Sequence, residues 1–148
     1  MQHNTRWSVV VLLIFAALLL AACSGQAQAG YEKIEPAVVE PIDGTEINRL
    51  TLTEKAVERL AIQTDTVRQE QVNGEQRMVI PYGAVLYDMN GGTWAYTNPE
   101  PRIYIREAIT VEFIDGDNVV LADGPGLGTS IVTVGAAELY GTDTGVGK

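Results

Sequence analysis

From Met78 onward the chain is a succession of short β-prone apolar runs, each closed by a turn. This punctuation points to an antiparallel β fold. Met78-Val79-Ile80 runs into Pro81, which suits a strand end or a sheet edge. Residues 84–87 and 93–97 flank Asp88-Met89-Asn90-Gly91-Gly92, whose composition predicts a hairpin. Over residues 103–113 the odd positions read Ile, Ile, Glu, Ile, Val, Phe, and the even ones Tyr, Arg, Ala, Thr, Glu. That is a period of two broken only at Glu107, as expected of one half-buried strand. Asp115-Gly116-Asp117-Asn118 turns the chain into Val119-Val120-Leu121, and Gly124-Pro125-Gly126-Leu127-Gly128 forms a loop before a strand at 131–134. Residues 136–140 suit a closing helical turn, and 141–148 are expected to fray.

Upstream of the strands lies one short helix. Thr51 with Glu54 has the spacing of a capping box, and Thr53 is the competing cap. Ala56, Val57 and Leu60 then share a face, while Glu54, Lys55, Glu58 and Arg59 turn to water. Two helical turns are not stable alone, so this helix must dock on the sheet. Residues 61–67 favour a strand. The fold class is therefore mainly β: a small antiparallel β domain over residues 49–140 with one short helix.

The first 22 residues read as a bacterial lipoprotein signal peptide. Arg6 precedes an unbroken apolar run over residues 9–20, followed by Ala21, Ala22 and Cys23. The run is short for a membrane span, which needs about 20 residues. Leu20-Ala21-Ala22-Cys23 resembles a lipobox, which implies that Cys23 is acylated and becomes the mature N-terminus. The alternative is an uncleaved signal anchor with an incidental cysteine. Cleavage would leave 9 basic against 19 acidic residues, a net charge of −10. Anionic headgroups repel such a chain, so attachment to the lipid bilayer would rest on the acyl chains of Cys23. Residues 23–48, polar and broken by Pro36 and Pro41, are expected to form a flexible tether.

Charge and composition exclude several function classes. A net charge of −9 gives no electrostatic footprint for nucleic acid. The single His3 and single Cys23 both lie near the N-terminus, so the rest of the chain holds no Ser-His-Asp triad and no Cys/His zinc site. Asp143-Thr144-Gly145 matches the tripeptide of aspartic proteases, but such a site needs a second Asp sharing a proton, and here the tripeptide sits in a polar tail. Asp115, Asp117 and Asn118 are too short a ligand series for a calcium loop and lack its closing Glu. Gly124, Gly126 and Gly128 resemble a phosphate loop, yet Pro125 removes a donor and no Lys-Ser/Thr pair follows. Tyr87, Trp94, Tyr96 and Tyr104 are either a ligand platform or sheet packing. No catalytic, metal-binding or cofactor-binding residues are singled out, and no enzyme is expected.

Leu50-Thr51-Leu52-Thr53-Glu54 and, further on, Val79-Ile80-Pro81-Tyr82-Gly83 open two stretches that together resemble the periplasmic adaptor (membrane-fusion, HlyD-like) family of efflux systems. Residues 50–64, from Leu50-Thr51-Leu52 through Gln63-Thr64, are similar to the strand, short helix and strand that lead into the adaptor core. The second stretch opens with Val79-Ile80-Pro81-Tyr82-Gly83-Ala84-Val85-Leu86-Tyr87 and continues through Trp94-Ala95-Tyr96. Ile109-Thr110-Val111, Asp115-Gly116-Asp117, Gly126-Leu127-Gly128 and Val132-Thr133-Val134-Gly135-Ala136-Ala137-Glu138-Leu139 then follow in the order of the adaptor membrane-proximal domain. The likeness covers about 75 of the 148 residues and carries over no active-site residue. The family builds a lipoyl-like domain and a helical hairpin between the two stretches, whereas here only residues 68–77 separate them.

The resemblance implies a lipid-anchored extracytoplasmic accessory protein that binds a membrane transporter or another envelope protein. It would sit on the periplasmic side or outer face of the cell membrane. The alternatives are a small-molecule or ion-binding lipoprotein on the same scaffold, and a degenerate fragment without a partner.

Overall fold

The computed structural model of the chain describes residues 35–145. The expected signal peptide, Cys23 and the first part of the expected tether lie outside the described residues, as do residues 146–148. In chain order the elements are β1 (Ala37–Pro41), β2 (Asn48–Leu52), α1 (Glu54–Arg59), β3 (Gln63–Thr66), β4 (Arg68–Val72) and β5 (Glu75–Pro81). A 3-10 turn (Tyr82–Ala84) leads to β6 (Leu86–Tyr87), β7 (Thr93–Glu100), β8 (Ile103–Ala108), β9 (Thr110–Asp115), β10 (Asn118–Asp123), β11 (Ser130–Val134) and α2 (Ala136–Thr144).

The strands make two antiparallel sheets. The larger runs β1-β2-β8-β7-β11-β3, with β6 also paired to β7, and the smaller runs β4-β5-β10-β9. Each sheet face has its own core. Leu50, Leu52, Tyr96, Tyr104 and Val132 of the larger sheet pack with Ala56 of α1 and with Ala136 and Leu139 of α2. On the opposite face, Ala95 and Ile131 pack with Ile80, Val119 and Leu121 of the smaller sheet. The larger sheet is thus the middle layer, with helices on one side and the second sheet on the other. Each fully buried Leu, Ile or Val contributes about 1.5–3 kcal/mol.

The mainly β, antiparallel reading holds, and several of its details are corrected. The tether expected over 23–48 gives way to structure at Ala37, where β1 pairs with β2 from Ala37↔Leu52 to Pro41↔Asn48. Ala37, Val38 and Val39 supply the β propensity, and β1 is an edge strand, where prolines are tolerated. The short link over 68–77 holds β4, the turn and the first residues of β5: Val72 pairs with Glu75 around Asn73 (φ 53°) and Gly74 (φ 87°). Both central residues are left-handed, the geometry that Asn-Gly favours in a two-residue hairpin turn.

The strand expected over 103–113 is two strands in different sheets, since the chain changes sheets at Ile109. Its inward face changes with it: Tyr104 is buried in β8, whereas Val111 of β9 packs on the second core. The irregularity at Glu107 marks this switch of phase. The helix α1 is capped by Thr53, whose Oγ1 accepts from Ala56 N at 3.2 Å, rather than by the Thr51 capping box.

The tail expected to fray over 141–148 is also corrected, for residues 141–144. Helix α2 continues to Thr144, and Asp143 is buried. Its start depends on Gly135 at φ 89°, where a Cβ would collide with Ile62. Ala136, Leu139 and Asp143 fall on one helical face, and that face rests on the larger sheet.

Candidate functional site

The larger sheet carries an inward-facing row of polar side chains where its core would otherwise be apolar. Tyr96 of β7 pairs directly with Arg106 of β8. The β2–β8 register, Arg49↔Ile105 and Leu50↔Tyr104, continues by one residue to put Asn48 opposite Arg106. Three adjacent strands therefore present Asn48, Arg106 and Tyr96 side by side, and α2 lowers Asp143 onto them.

Asp143 is the hub. Its Oδ2 accepts from the Tyr96 hydroxyl at 2.7 Å, and its Oδ1 accepts from Asn48 Nδ2 at 2.8 Å. Arg106 Nε lies 3.4 Å from Oδ2, with side-chain exposures of 11% for Arg106 and 1% for Asp143. Burial is the largest influence on Tyr96, and the hydrogen bond to Asp143 and that residue's charge add to it, so its hydroxyl is held well above the usual tyrosine value. Tyr96 is therefore a neutral donor at physiological pH.

The guanidinium of Arg106 lies against two aromatic rings. Its Cζ is 4.4 Å from the Trp94 ring centroid and 5.5 Å from that of Tyr140 on α2. Such contacts are worth about 2 kcal/mol or more when desolvated. Trp94 is itself fixed from the far side, since its Nε1–H donates to Asp88 Oδ2 at 2.9 Å. The other Asp88 oxygen accepts from the backbone N–H of Asn90 and of Gly92, each at 2.8 Å. The bond from Trp94 leads the effects that hold the Asp88 carboxyl below its usual range, followed by the bond from Gly92. This clamp fixes the β6–β7 turn, on which Met89 is 99% exposed.

The expected site residues divide between this cluster and other places. Trp94 and Tyr96 join it, whereas Tyr104 lies in the first core and Tyr87 is exposed. Cys23 lies outside the described residues. Asp115 ends β9 and Asp117 lies in the exposed hairpin turn that follows, and Asn118 Oδ1 accepts from Arg68 Nη2 at 3.3 Å. The Gly124–Gly128 loop is tied down through its backbone: Gly128 N–H donates to Val67 O, and Val67 N–H to Thr129 O, each at 2.9 Å. Asp143 of the Asp-Thr-Gly tripeptide turns inward, where its oxygens are engaged by Asn48, Tyr96 and Arg106.

Arg106, Asn48 and Tyr140 escape a reading of the sequence. Tyr140 sits one turn after Ala136 on α2, which was a findable signal. The meeting of Asn48 with Arg106 depends on strand register, which no local pattern reveals. Among the described residues no group of three or more His, Cys, Asp or Glu could hold a metal ion, and no helix is long and apolar enough to cross a membrane. Comparison with protein-family models, with curated proteins and with solved structures finds no match to this chain.

Proposed function

We propose that the protein is a lipid-anchored, extracytoplasmic accessory module, held to the bilayer by acylated Cys23, that docks on a membrane transporter or another envelope protein. The observation that carries the docking reading is the β6–β7 tip. Met89 projects fully into solvent from a turn that Asp88 fastens by three hydrogen bonds. A turn whose backbone is already fixed loses little main-chain entropy on binding, and the flexible methionine side chain adapts to varied apolar surfaces. The resemblance of residues 50–64 and 79–139 to the adaptor membrane-proximal domain supports the choice of a transporter as partner. The short β4–β5 hairpin, standing where adaptors build their projecting modules, argues against a role in reaching an outer-membrane channel.

The test is crosslinking in intact cells from a photoreactive residue at position 89. The expected product joins the protein to a cytoplasmic-membrane transporter, and Cys23→Ala releases the protein from membranes and removes that product. Recovery of no protein neighbour from position 89 would refute docking through the tip. Unchanged fractionation and mass after Cys23→Ala would refute the anchor. A second reading, a small-molecule-binding lipoprotein, is favoured by the hydrogen-bond deficit of Arg106.

A further inference from the structure

Arg106 carries five N–H donors in a planar fork. Its side chain is 11% exposed, and its Nε is sealed from solvent without a hydrogen bond. Asp143 supplies the opposite charge at 3.4 Å, yet its two oxygens already accept from Tyr96 and Asn48. Trp94 and Tyr140 face the cation with rings, which attract it but offer no conventional acceptor. Only Nε among its nitrogens is both enclosed and unbonded, which leaves the Nη fork as its reachable edge. A guanidinium so far desolvated and so poorly bonded is costly to the protein unless something accepts from it.

We propose that the Nη fork of Arg106 is the recognition point of a small-ligand site, which takes an uncharged oxygen acceptor, an amide carbonyl or a hydroxyl, beside the rings of Trp94 and Tyr140. Charge selects the class. Asp143 neutralises Arg106 at contact distance, and Asp88 sits behind Trp94, close enough for its carboxyl to respond to Arg106. A further carboxylate or phosphate would enter a site already balanced towards negative, in a chain of net charge −9. A neutral oxygen meets no such repulsion and still gains charge-assisted hydrogen bonds. With Arg106 only 11% exposed, one protruding oxygen can reach it, while the carbon skeleton behind that oxygen would rest on the aromatic edges. This proposal goes beyond the docking reading and does not depend on it.

The experiment is a titration of the full-length 15N-labelled protein followed through the Arg106 Nε–H and Trp94 Nε1–H resonances. The probes are N-methylacetamide for the carbonyl, methyl glucoside for the hydroxyl, and acetate for the anion. A saturable shift of both resonances with at least one uncharged probe is expected, with acetate at least tenfold weaker. The responding probe identifies the source of the oxygen. Arg106→Lys should abolish saturation. Tyr140→Ala, which leaves the Arg106–Asp143 pair in place, should weaken binding about tenfold and carries the test should Arg106→Lys fail to fold. No saturable shift with either uncharged probe, as when ordered water alone fills the site, overturns the proposal, and so does acetate binding as tightly. The readout needs no transporter, so its failure leaves the docking reading standing, and the converse also holds.

Discussion

Tyr96 donates its hydroxyl to Asp143 at 2.7 Å across 47 residues of sequence, and both side chains are buried. The bond joins the centre of the larger sheet to the last turn of α2. Removing the carboxylate leaves Arg106 as a buried cation without its counter-charge. Asp143→Ala is therefore expected to cost about 3–5 kcal/mol, measured by urea unfolding. Replacing the pair together, as Asp143→Leu with Arg106→Met, should recover much of that loss. A single-variant cost below about 1 kcal/mol would show that the network adds little.

Alkaline solution should attack the same place. Tyr96 is protonated in the fold above the value at which an unfolded tyrosine ionises, about 10. The folded state thus holds a proton that the unfolded chain releases, so the associated stability is complete below about pH 10 and declines as pH rises beyond it. Tyr104, also raised by burial, acts in the same direction. Tyr96→Phe should flatten the alkaline decline in unfolding free energy. An unaltered pH profile in that variant would rule out Tyr96 as the source.

Asp88 works at the acid end with the opposite sign. Its carboxyl is held low by the bonds from Trp94 and Gly92 ahead of the rest. Its stabilising effect is present above the unfolded value of about 3.9 and is lost as pH falls through the lower folded value. The Trp94 Nε1–H resonance is expected to titrate with a midpoint below 3.9, and Asp88→Asn should remove that transition. A midpoint at or above the ordinary aspartate value would contradict the clamp.

Helix α2 is integral to the domain. Leu139 is wholly buried in the first core, so Leu139→Ala should cost about 2–5 kcal/mol in urea unfolding. Truncation after Gly135 should remove cooperative unfolding altogether. If the truncated chain instead melts at the midpoint of the full one, α2 is an appendage.

Local patterns in the sequence carried the strand succession, the Asp88–Gly92 hairpin, the Asp115–Asn118 turn and α1, because each is decided within a few residues. The Asn73-Gly74 turn was equally local and went unread, since residues 68–77 looked like a link between two halves. Helix α2 was underestimated because Gly141, Thr142 and Thr144 are weak helix formers. The Ala136, Leu139, Asp143 stripe that holds it works only against a sheet already in place. The polar cluster was the least legible part. Asn48, Tyr96, Arg106 and Asp143 are scattered through the chain, and only the register of β2, β8 and β7 lines up the first three.

The 95 residues separating Asn48 from Asp143 also set an order of events. A chain that emerges from its N-terminus presents Leu50, Leu52 and Tyr104 long before Leu139 and Asp143 exist to cover them. The β4–β5 and β9–β10 hairpins close over short stretches and can assemble during synthesis. The helix-covered face must wait until the last turn of α2 is free. Until then it is an open apolar surface with a bare arginine at its edge, the part of this molecule most in need of a chaperone.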